Sequence, residues 1–273
     1  MAKNISPAIE FSNVPWKGEN MAQKLKGYKL LYSPSGRAGE YANHGYAANL
    51  YHGCQHGCQY CYVPACKRTT PDVFHATVTL QKNVLERLEH DVNIKVLDEP
   101  IFMSFSCDPY PPDDELSLIT RQAVQIIIAS GNRVNILTKG GTRVIRDLDL
   151  LASVPGNKLG ATLTFSTTKD SRLWEPGAAL PCERLEMLQR AFKLGIYTWV
   201  SMEPVIIPEQ TLELIGRSHQ FINEFRVGKW NHDKRAEGID WKDFYEQAKM
   251  KLDHVGAKYI LKDDLLKAAG VQV

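Results

Sequence analysis

The amino-acid sequence predicts an α/β protein in which a parallel sheet carries helices on its outer face. Short apolar runs alternate with segments of helical periodicity along most of the chain. Strict strand–helix alternation is typical of parallel sheets, because the crossover between two parallel strands is usually a helix. The 273 residues are enough for one large domain with a substantial core.

Six strand–helix units make up this pattern. The predicted strands are the apolar runs at residues 47–51, 101–105, 133–138, 159–165, 197–202 and 221–227. The predicted helices are the segments with helical spacing at residues 80–92, 119–130, 142–153, 183–194, 209–218 and 241–255. Gly131, Gly195 and Gly256 follow three of these helices, where a glycine commonly caps the carboxyl end.

Residues 1–43 differ from the rest of the chain. They are polar, contain Pro7, Pro15 and Pro34, and show no clear periodicity. We therefore expect an irregular N-terminal extension over residues 1–43 that wraps a single domain of residues 44–273. We find no internal repeat and no low-complexity tract.

The charge balance excludes one broad class of partner. Lysine and arginine total 33 against 31 acidic residues, and a net charge of +2 is too small for broad, charge-driven binding of nucleic acid. The basic runs at residues 67–68 and 229–235 are compatible with a local binding surface and equally with solvated loops. No apolar run approaches the ~20 residues that span a bilayer, and nothing at the N-terminus resembles a secretory signal. We therefore expect a cytoplasmic protein with no membrane contact.

Three closely spaced cysteines are the most specific motif. Cys54, Cys58 and Cys61 have the spacing Cys-x3-Cys-x2-Cys, with the aromatic Tyr60 just before the third. Three thiolates on one short loop can hold three irons of a [4Fe–4S] cluster and leave the fourth iron without a protein ligand. Such an iron can bind a substrate or cofactor directly, so the motif predicts a catalyst instead of a simple electron carrier.

A zinc site is the alternative interpretation of the same loop. His52, His56 or Cys66 is available as a fourth ligand beside the cysteines. Structural zinc sites usually pair two such knuckles a dozen or more residues apart, and the sequence has no second knuckle. This weakens the zinc interpretation but does not remove it. A non-enzymatic zinc-binding interaction protein therefore remains the alternative from another functional class.

Polar or reactive residues follow every predicted strand. They are the cysteine loop and the runs at residues 106–112, 139–141, 166–168, 203–204 and 229–231. In parallel α/β barrels the functional groups gather on the loops at the carboxyl ends of the strands. The recurrence therefore predicts one shared site at that end of the sheet.

At these loops the sequence resembles the spore photoproduct lyase branch of the radical S-adenosylmethionine (SAM) superfamily. The matching segments are the cysteine run at 53–62, Cys-Asp-Pro-Tyr-Pro-Pro at 107–112, Leu-Thr-Lys at 137–139, Phe-Ser at 165–166, Trp-Glu-Pro-Gly at 174–177, Glu-Arg-Leu at 183–185 and Glu-Pro-Val at 203–205. The resemblance runs from about residue 47 to residue 208. It implies a partial (β/α)6 TIM barrel, which agrees with the six units counted above.

The resemblance implies a cofactor site made of a [4Fe–4S] cluster and SAM. Cys54, Cys58 and Cys61 would ligate the cluster, and Lys139 resembles the lysine that pairs with the SAM carboxylate. A charge-assisted contact suits a carboxylate that must be held on iron. A surface lysine beside a glycine turn is the alternative interpretation of Lys139.

Five further residues are assigned to cofactor binding through the resemblance. Tyr60 would lie near the adenine, and Ser166 resembles the hydroxyl that contacts the ribose, although a serine here also suits a turn. Many superfamily members carry Gly-Gly-Glu-Pro after the second strand to bind the SAM amine. Ser106 or Asp108 stands in that place here. Glu203, after the fifth strand, completes the set.

Cys107 and Tyr110 are the candidate catalytic residues. Spore photoproduct lyases use a cysteine near this loop to return a hydrogen atom to the product radical, and the resemblance places that donor within a residue or two of Cys107. A buried, inert cysteine is the alternative interpretation. Tyr110 is the second candidate for passing the hydrogen atom.

The resemblance implies a radical lyase. An electron from flavodoxin or ferredoxin enters the cluster, SAM is cleaved to a 5′-deoxyadenosyl radical, and this radical abstracts hydrogen from the substrate. The family favours DNA that carries a crosslinked thymine pair. The short chain and near-neutral charge favour a free modified nucleoside or nucleotide, from which a base is released as in a queuine lyase.

Overall fold

A seven-stranded parallel sheet forms the framework of the protein. The computed structural model describes residues 29–94, 96–112 and 118–272. In chain order the strands are β1 Ala47–Ala48, β2 Tyr51–His52, β3 Thr79–Leu80, β4 Ile101–Met103, β5 Val134–Thr138, β6 Lys158–Thr162, β7 Tyr197–Val205, β8 Glu224–Lys229 and β9 Tyr259–Leu261. The main sheet has the order β1-β4-β5-β6-β7-β8-β9 with every neighbouring pair parallel, and β2 and β3 form a separate antiparallel pair.

Helices connect the strands of the main sheet. The described α-helices are Gly36–Tyr41, Val63–Cys66, Pro71–Ala76, Val84–Val92, Ile119–Ala129, Leu148–Ser153, Thr168–Trp174, Pro181–Lys193, Pro208–Ser218, Trp241–His254 and Asp263–Ala268. Short 3-10 helices cover Gly141–Asp147, His219–Phe221 and Lys234–Gly238. The predicted α/β class and parallel sheet are therefore confirmed. None of the helices in the described ranges is long and apolar enough to cross a membrane.

The sheet has one more strand than the six predicted. Strand β9 pairs with β8 through Tyr259 and Leu261, and the sequence signal missed it because three partly exposed residues are too few to show periodicity. The predicted strand at 221–227 begins only at Glu224, since His219–Phe221 forms a 3-10 turn. The predicted helix at 142–153 is divided into a 3-10 segment and an α-helix.

Two apolar clusters lie on opposite faces of the sheet. In β4, Ile101 and Met103 belong to the larger cluster beneath the helices, whereas Phe102 points to the other face and packs with Trp199. Gly160 on β6 has no side chain because a Cβ atom there would overlap the Trp199 indole. The Trp199 Nε1 atom donates a hydrogen bond to Asn135 Oδ1 at 2.8 Å. The inner face is thus filled around Trp199, before β7 reaches its polar carboxyl end.

The predicted N-terminal extension is described only in part. Residues 1–28 lie outside the described residues. From residue 29 onward the backbone N–H groups of Leu30 and Leu31 donate to Asp91 at 2.7 and 3.0 Å, and Tyr32 forms an antiparallel bridge with Ala47. The helix Gly36–Tyr41 follows and packs Tyr41 against the inner face of the sheet. The domain boundary after residue 43 stays a prediction.

Candidate cofactor and substrate site

A cavity of about 330 Å³ opens at the carboxyl ends of the strands. Its lining includes the three cysteines of the motif, residues within β6 and β7, and residues at or just after the carboxyl ends of β4, β5, β8 and β9. The structure thus brings together the polar groups that the sequence places after successive strands. Nine of the eleven residues assigned to the site from the sequence line this cavity, and Tyr110 and Ser166 do not. The nine are Cys54, Cys58, Tyr60, Cys61, Ser106, Cys107, Asp108, Lys139 and Glu203.

The cysteine loop is held from outside by two short helices. The Cys54 N–H donates to the Phe74 carbonyl at 3.3 Å, and the Cys54 carbonyl lies 2.7 Å from Nδ1 of His75. Phe74 and His75 belong to the helix Pro71–Ala76. On the other side, the Gln59 N–H donates to the Trp174 carbonyl at 2.9 Å. These backbone bonds fix the loop without using the thiols, so the sulfur atoms stay available as ligands.

The three thiols are buried to different extents. Cys58 is 7% exposed, and burial raises its pKa to about 12. Burial also raises the pKa of Cys54 and Cys61. All six cysteines are free. Cluster binding at this loop must therefore displace protons from the thiols.

The donor set suits a cluster better than a single ion. Within the described residues, no group of three His, Cys, Asp or Glu side chains is arranged to hold one metal ion. In a cubane cluster each thiolate binds its own iron, so Cys54, Cys58 and Cys61 need not converge on one point. Three free thiols on the wall of a cavity fit the [4Fe–4S] group, and nothing in this geometry favours the zinc interpretation.

Asp108 is the hydrogen-bond hub of the site. Its Oδ1 accepts bonds from the Thr138 hydroxyl at 2.6 Å and the Tyr110 N–H at 2.8 Å, and its Oδ2 accepts one from the Lys139 N–H at 2.7 Å. His56 Nδ1 lies 3.4 Å from the same Oδ2. Burial alone would raise the pKa of Asp108, but His56 and these hydrogen bonds lower it below its usual value. The carboxylate is already engaged, so it positions its neighbours.

His56 lies between Cys54 and Cys58 in the sequence and is almost fully buried. Burial is the largest influence on its pKa and lowers it to about 4, so the ring is neutral near pH 7. Its Nε2 lies 3.2 Å from Nη2 of Arg143, which can only donate. The proton of a neutral ring is then assigned to Nδ1, which faces Asp108. His56 thus links the cysteine loop to the Asp108 turn.

Lys139 lies at the end of β5 with its ammonium group over an aromatic ring. Its Nζ is 5.5 Å from the centre of the Tyr60 ring. Burial lowers the pKa of Lys139, but the nearby Cys58 and Glu175 raise it more, and the net pKa is above the usual value. Lys139 is therefore a cation on the cavity wall, which is the state that pairing with a carboxylate requires.

A buried ion pair fixes Tyr60 behind the cavity. The Tyr60 hydroxyl donates to Glu175 and lies 3.2 Å from the Thr164 hydroxyl. Glu175 also pairs with Nη2 of Arg184 at 2.5 Å, and Arg184 Nη1 donates to the Thr162 carbonyl at 2.9 Å. Glu175 therefore has a structural role, because it joins the Tyr60 hydroxyl to the Arg184 guanidinium. The role of Arg184 was missed, because no local pattern connects it to Tyr60.

Cys107 lines the cavity, whereas Tyr110 does not. The Cys107 Sγ atom lies 3.4 Å from the Ser104 hydroxyl, and burial raises its pKa to about 11, so the S–H bond persists near neutral pH. Tyr110 is fully buried in the larger apolar cluster, with Arg146 stacked 5.7 Å from its ring centre. Because the Tyr110 N–H is bound to Asp108, the turn directs the side chain away from the cavity. The predicted relay through Tyr110 is corrected accordingly.

Ser166 also lies away from the cavity. Its hydroxyl donates to Glu213 at 2.7 Å, and its N–H donates to Gln210 at 2.7 Å, so the helix Pro208–Ser218 holds the turn in an outward position. The predicted ribose contact is therefore not supported by the position of Ser166. Thr162 and Ser201 do line the cavity, although neither was predicted from the sequence. Their position near the carboxyl ends of β6 and β7 was the available signal.

On the β7 side of the cavity, Glu203 is at the centre of a charged group. Its carboxylate accepts from the Tyr41 hydroxyl at 2.9 Å and pairs with Lys262 at 2.7 Å and Arg37 at 3.2 Å. We call this side of the cavity the far wall, defined by Arg37, Tyr41, Glu203, Lys229 and Lys262. Arg37, Tyr41 and Lys262 were missed from the sequence, because they come from the segment predicted to be irregular and from the end of the missed strand β9.

Comparison with known protein families gives one match that covers most of the chain. A family described as the Radical SAM superfamily matches residues 48–222. An uncharacterized protein of Acidianus two-tailed virus is 28% identical over 208 residues, which are 72% of this chain and 68% of the viral protein.

Solved structures show the same fold at low sequence identity. A spore photoproduct lyase complexed with dinucleoside spore photoproduct aligns with a TM-score of 0.60 and 15% identity over 80% of this chain and 76% of that one. Streptococcus suis SuiB bound to S-adenosylmethionine aligns with a TM-score of 0.58 and 12% identity over 81% of this chain. The aligned part is 51% of the SuiB chain, so this protein spans about half the length of SuiB. At these identities the likeness concerns the fold alone.

Proposed function

Because the chain belongs to the radical SAM superfamily, whose members use a [4Fe–4S] cluster and SAM, we propose that it is a lyase acting on a crosslinked thymine pair in nucleic acid. The observation that carries the proposal is the Cys107 thiol on the wall of the cavity that also contains Cys54, Cys58 and Cys61. The fold likeness to spore photoproduct lyase supports the same reaction class.

The cofactor half of the cavity is built from residues with distinct tasks. Cys54, Cys58 and Cys61 would hold the cluster, and the Lys139 ammonium would pair with the carboxylate of SAM. Tyr60, fixed by Glu175, offers a ring face beside Lys139. When bound, the cluster and SAM supply a radical that abstracts hydrogen from the substrate, with the electron delivered by a donor such as flavodoxin or ferredoxin.

The chain itself supplies the hydrogen atom that completes the reaction. Burial keeps Cys107 as a thiol near neutral pH, and a thiol S–H bond is weak enough to quench a carbon radical. Breaking that bond forms a C–H bond on the product and leaves an unpaired electron on Cys107 sulfur.

A second candidate is favoured by the size of the cavity. A volume of about 330 Å³ is near the lower end for small-molecule sites, and SAM must share it with the substrate. This favours a free modified nucleoside or nucleotide, from which the enzyme would release a base as a queuine lyase does. Recovery of the base, instead of repaired thymines, would identify this reaction.

Product analysis tests the proposal directly. Anaerobically reconstituted protein is incubated with SAM, a chemical reductant and, in parallel, dinucleotide spore photoproduct or modified nucleosides. The proposal expects repaired thymines in amounts that depend on SAM. If SAM is cleaved in the presence of the photoproduct but no repaired thymines are formed, the thymine-pair substrate is wrong. A colourless protein that contains zinc and no iron would reject the enzyme altogether.

A further inference from the structure

The far wall comes mostly from outside the part of the chain that matches the family. The family match covers residues 48–222, whereas Arg37 and Tyr41 precede it and Lys229 and Lys262 follow it. The matched residues therefore supply the cofactor half of the cavity and Glu203. The added N-terminal helix and the last two strands supply the rest of the far wall. This division points to substrate recognition, because the cofactors are common to the family and the substrate is not.

The far wall carries an excess of positive charge. Arg37 pairs with Glu203 and also with Asp264 at 2.6 Å, and Lys262 shares Glu203. In the part of the chain that the structure describes, Lys229 forms no ion pair, and its Nζ lies 5.7 Å from the Trp241 ring centre. Three cations face two carboxylates, so one positive charge is left uncompensated at the edge of a partly enclosed cavity.

The pair between Glu203 and Lys262 is built into the strands. The Lys262 side chain is only 7% exposed, and its Nζ lies 3.5 Å from the centre of the Tyr41 ring. A Cβ atom on Gly228 would lie 2.9 Å from Cδ of Glu203 and 3.0 Å from Cδ of Lys262. Glycine at 228 therefore keeps the space in which the two charged side chains meet.

Burial makes this charge receptive to an anion. Burial is the largest influence on the pKa of Lys262 and lowers it below the usual value, although Glu203 opposes this effect. A cation removed from water is costly unless an opposite charge compensates it. An anionic group that enters the cavity would offset this cost and would also meet the unpaired Lys229.

We propose that the far wall is a subsite for a phosphate ester of the substrate, with Lys229 and Lys262 as the cations that receive it. One phosphodiester carries one negative charge, which matches the excess of one positive charge. The inference rests on the proposed nucleic-acid substrate and gives it a specific consequence. The enzyme discriminates between a phosphate-bearing nucleotide and the corresponding phosphate-free nucleoside.

Equilibrium binding to the SAM-loaded, unreduced holoenzyme tests the subsite. The probes are the spore photoproduct as a dinucleotide with its bridging phosphate and as a dinucleoside without it, and 5′-thymidylate compared with thymidine. At matched ionic strength, the phosphate-bearing member of each pair should bind roughly ten- to a hundred-fold more tightly, as expected for one or two charge-assisted contacts. The dinucleotide arm reports a bridging phosphodiester, and the thymidylate arm reports a phosphate monoester.

Three variants make the result specific. Lys262→Met and Lys229→Met should each reduce the preference for the phosphate-bearing probe to about twofold or less. Lys229→Met breaks no ion pair of the described structure, so this variant should fold normally. Lys249→Met removes an exposed charge on the helix Trp241–His254, outside the cavity lining, and should keep the full preference. A preference that survives in both cavity variants would overturn the subsite.

The two pairs of probes also show whether the subsite or the proposed substrate is wrong. If neither form of the photoproduct binds but thymidylate binds more tightly than thymidine in a Lys262-dependent way, the subsite stands and the thymine-pair substrate is wrong. If no phosphate-bearing probe binds more tightly than its phosphate-free counterpart, the subsite is wrong whatever reaction the enzyme catalyses.

Discussion

The Nδ1 atom of His56 lies 3.4 Å from Oδ2 of Asp108, and this contact joins the cysteine loop to the turn after β4. The same Asp108 oxygen accepts the backbone N–H of Lys139. One buried carboxylate therefore sets the position of the cysteine loop and of the lysine expected to bind SAM. A change at Asp108 should affect both, even though Asp108 need not touch either cofactor.

Replacing Asp108 with asparagine tests this hub. Asparagine keeps the shape but removes the charge and turns one acceptor into a donor facing the Lys139 N–H or the Thr138 hydroxyl. We expect the free energy of unfolding to fall by about 1–3 kcal/mol and SAM affinity to fall with it. Denaturant titration and equilibrium SAM binding measure the two effects. Asp263→Asn, at an exposed residue that begins the helix Asp263–Ala268, is the control and should leave SAM affinity unchanged.

The cysteine motif predicts the metal content of the protein. Anaerobic reconstitution should give a brown protein with about four irons per chain, since three thiolates and SAM can hold a cubane cluster. Cys58→Ala should lose the cluster, whereas Cys66→Ala, at an exposed thiol outside the spacing, should retain it. Iron analysis and visible absorption provide the measurement. Loss of iron in Cys66→Ala would indicate a four-cysteine site instead.

Lys139→Ala should weaken SAM binding and leave the cluster in place. The lost contact is a charge-assisted hydrogen bond that contributes about 1.5–3 kcal/mol, so affinity should fall roughly ten- to a hundred-fold. Iron content and visible absorption should match the unmodified protein, because Lys139 is not a metal ligand. Unchanged SAM affinity in equilibrium binding would remove Lys139 from the cofactor site.

Cys107→Ala separates a hydrogen-atom donor from a packing residue. A variant that lacks the donor should still cleave SAM in the presence of substrate, but by-products should replace much of the normal product. A packing residue would instead lower stability by about 1 kcal/mol and leave the product distribution unchanged. Chromatography of the products and a thermal melt measure both. Cys182→Ala, at an exposed thiol, is the matched control.

The Glu224 carboxylate should account for part of the fall in the free energy of unfolding at low pH. Burial alone would raise its pKa, but Lys258 at 2.8 Å and Arg226 at 2.7 Å lower it from 4.5 to about 2. Because the folded pKa is the lower one, this carboxylate stabilises the fold fully above about pH 4.5. The contribution is lost as the pH falls towards 2.

Glu224→Gln should therefore lower the free energy of unfolding at pH 7 by about 1–3 kcal/mol, because the two cations lose their charged partner. The difference between the variant and the unmodified protein should shrink as the pH falls from 4.5 towards 2. Urea titrations across this range measure it. An equal difference at every pH would show that the ionised carboxylate is not the source of the effect.

The sequence located one half of the cavity because that half follows a simple rule. Parallel strands end at one edge of the sheet, so the cysteine loop, Cys107, Asp108 and Lys139 had to lie near one another once the strand order was known. The same rule failed for Ser166 and Tyr110. Both lie in loops that follow strands, but the direction of their side chains depends on bonds made by the turn, to Gln210 and to Asp108 respectively.

The far wall and the support of Tyr60 were decided only by tertiary structure. The bonds from Tyr41 to Ser201 and from Arg37 to Asp264 join residues 160 and 227 positions apart, and no local periodicity encodes such pairs. By contrast, the α/β class and the cysteine motif can be predicted from the spacing of residues that are close together in the sequence. Local spacing fixes which elements form and which ligands share a loop. The partners of a buried charge are fixed by the packing of distant elements, because a charge removed from water must find its counterion wherever the fold places one.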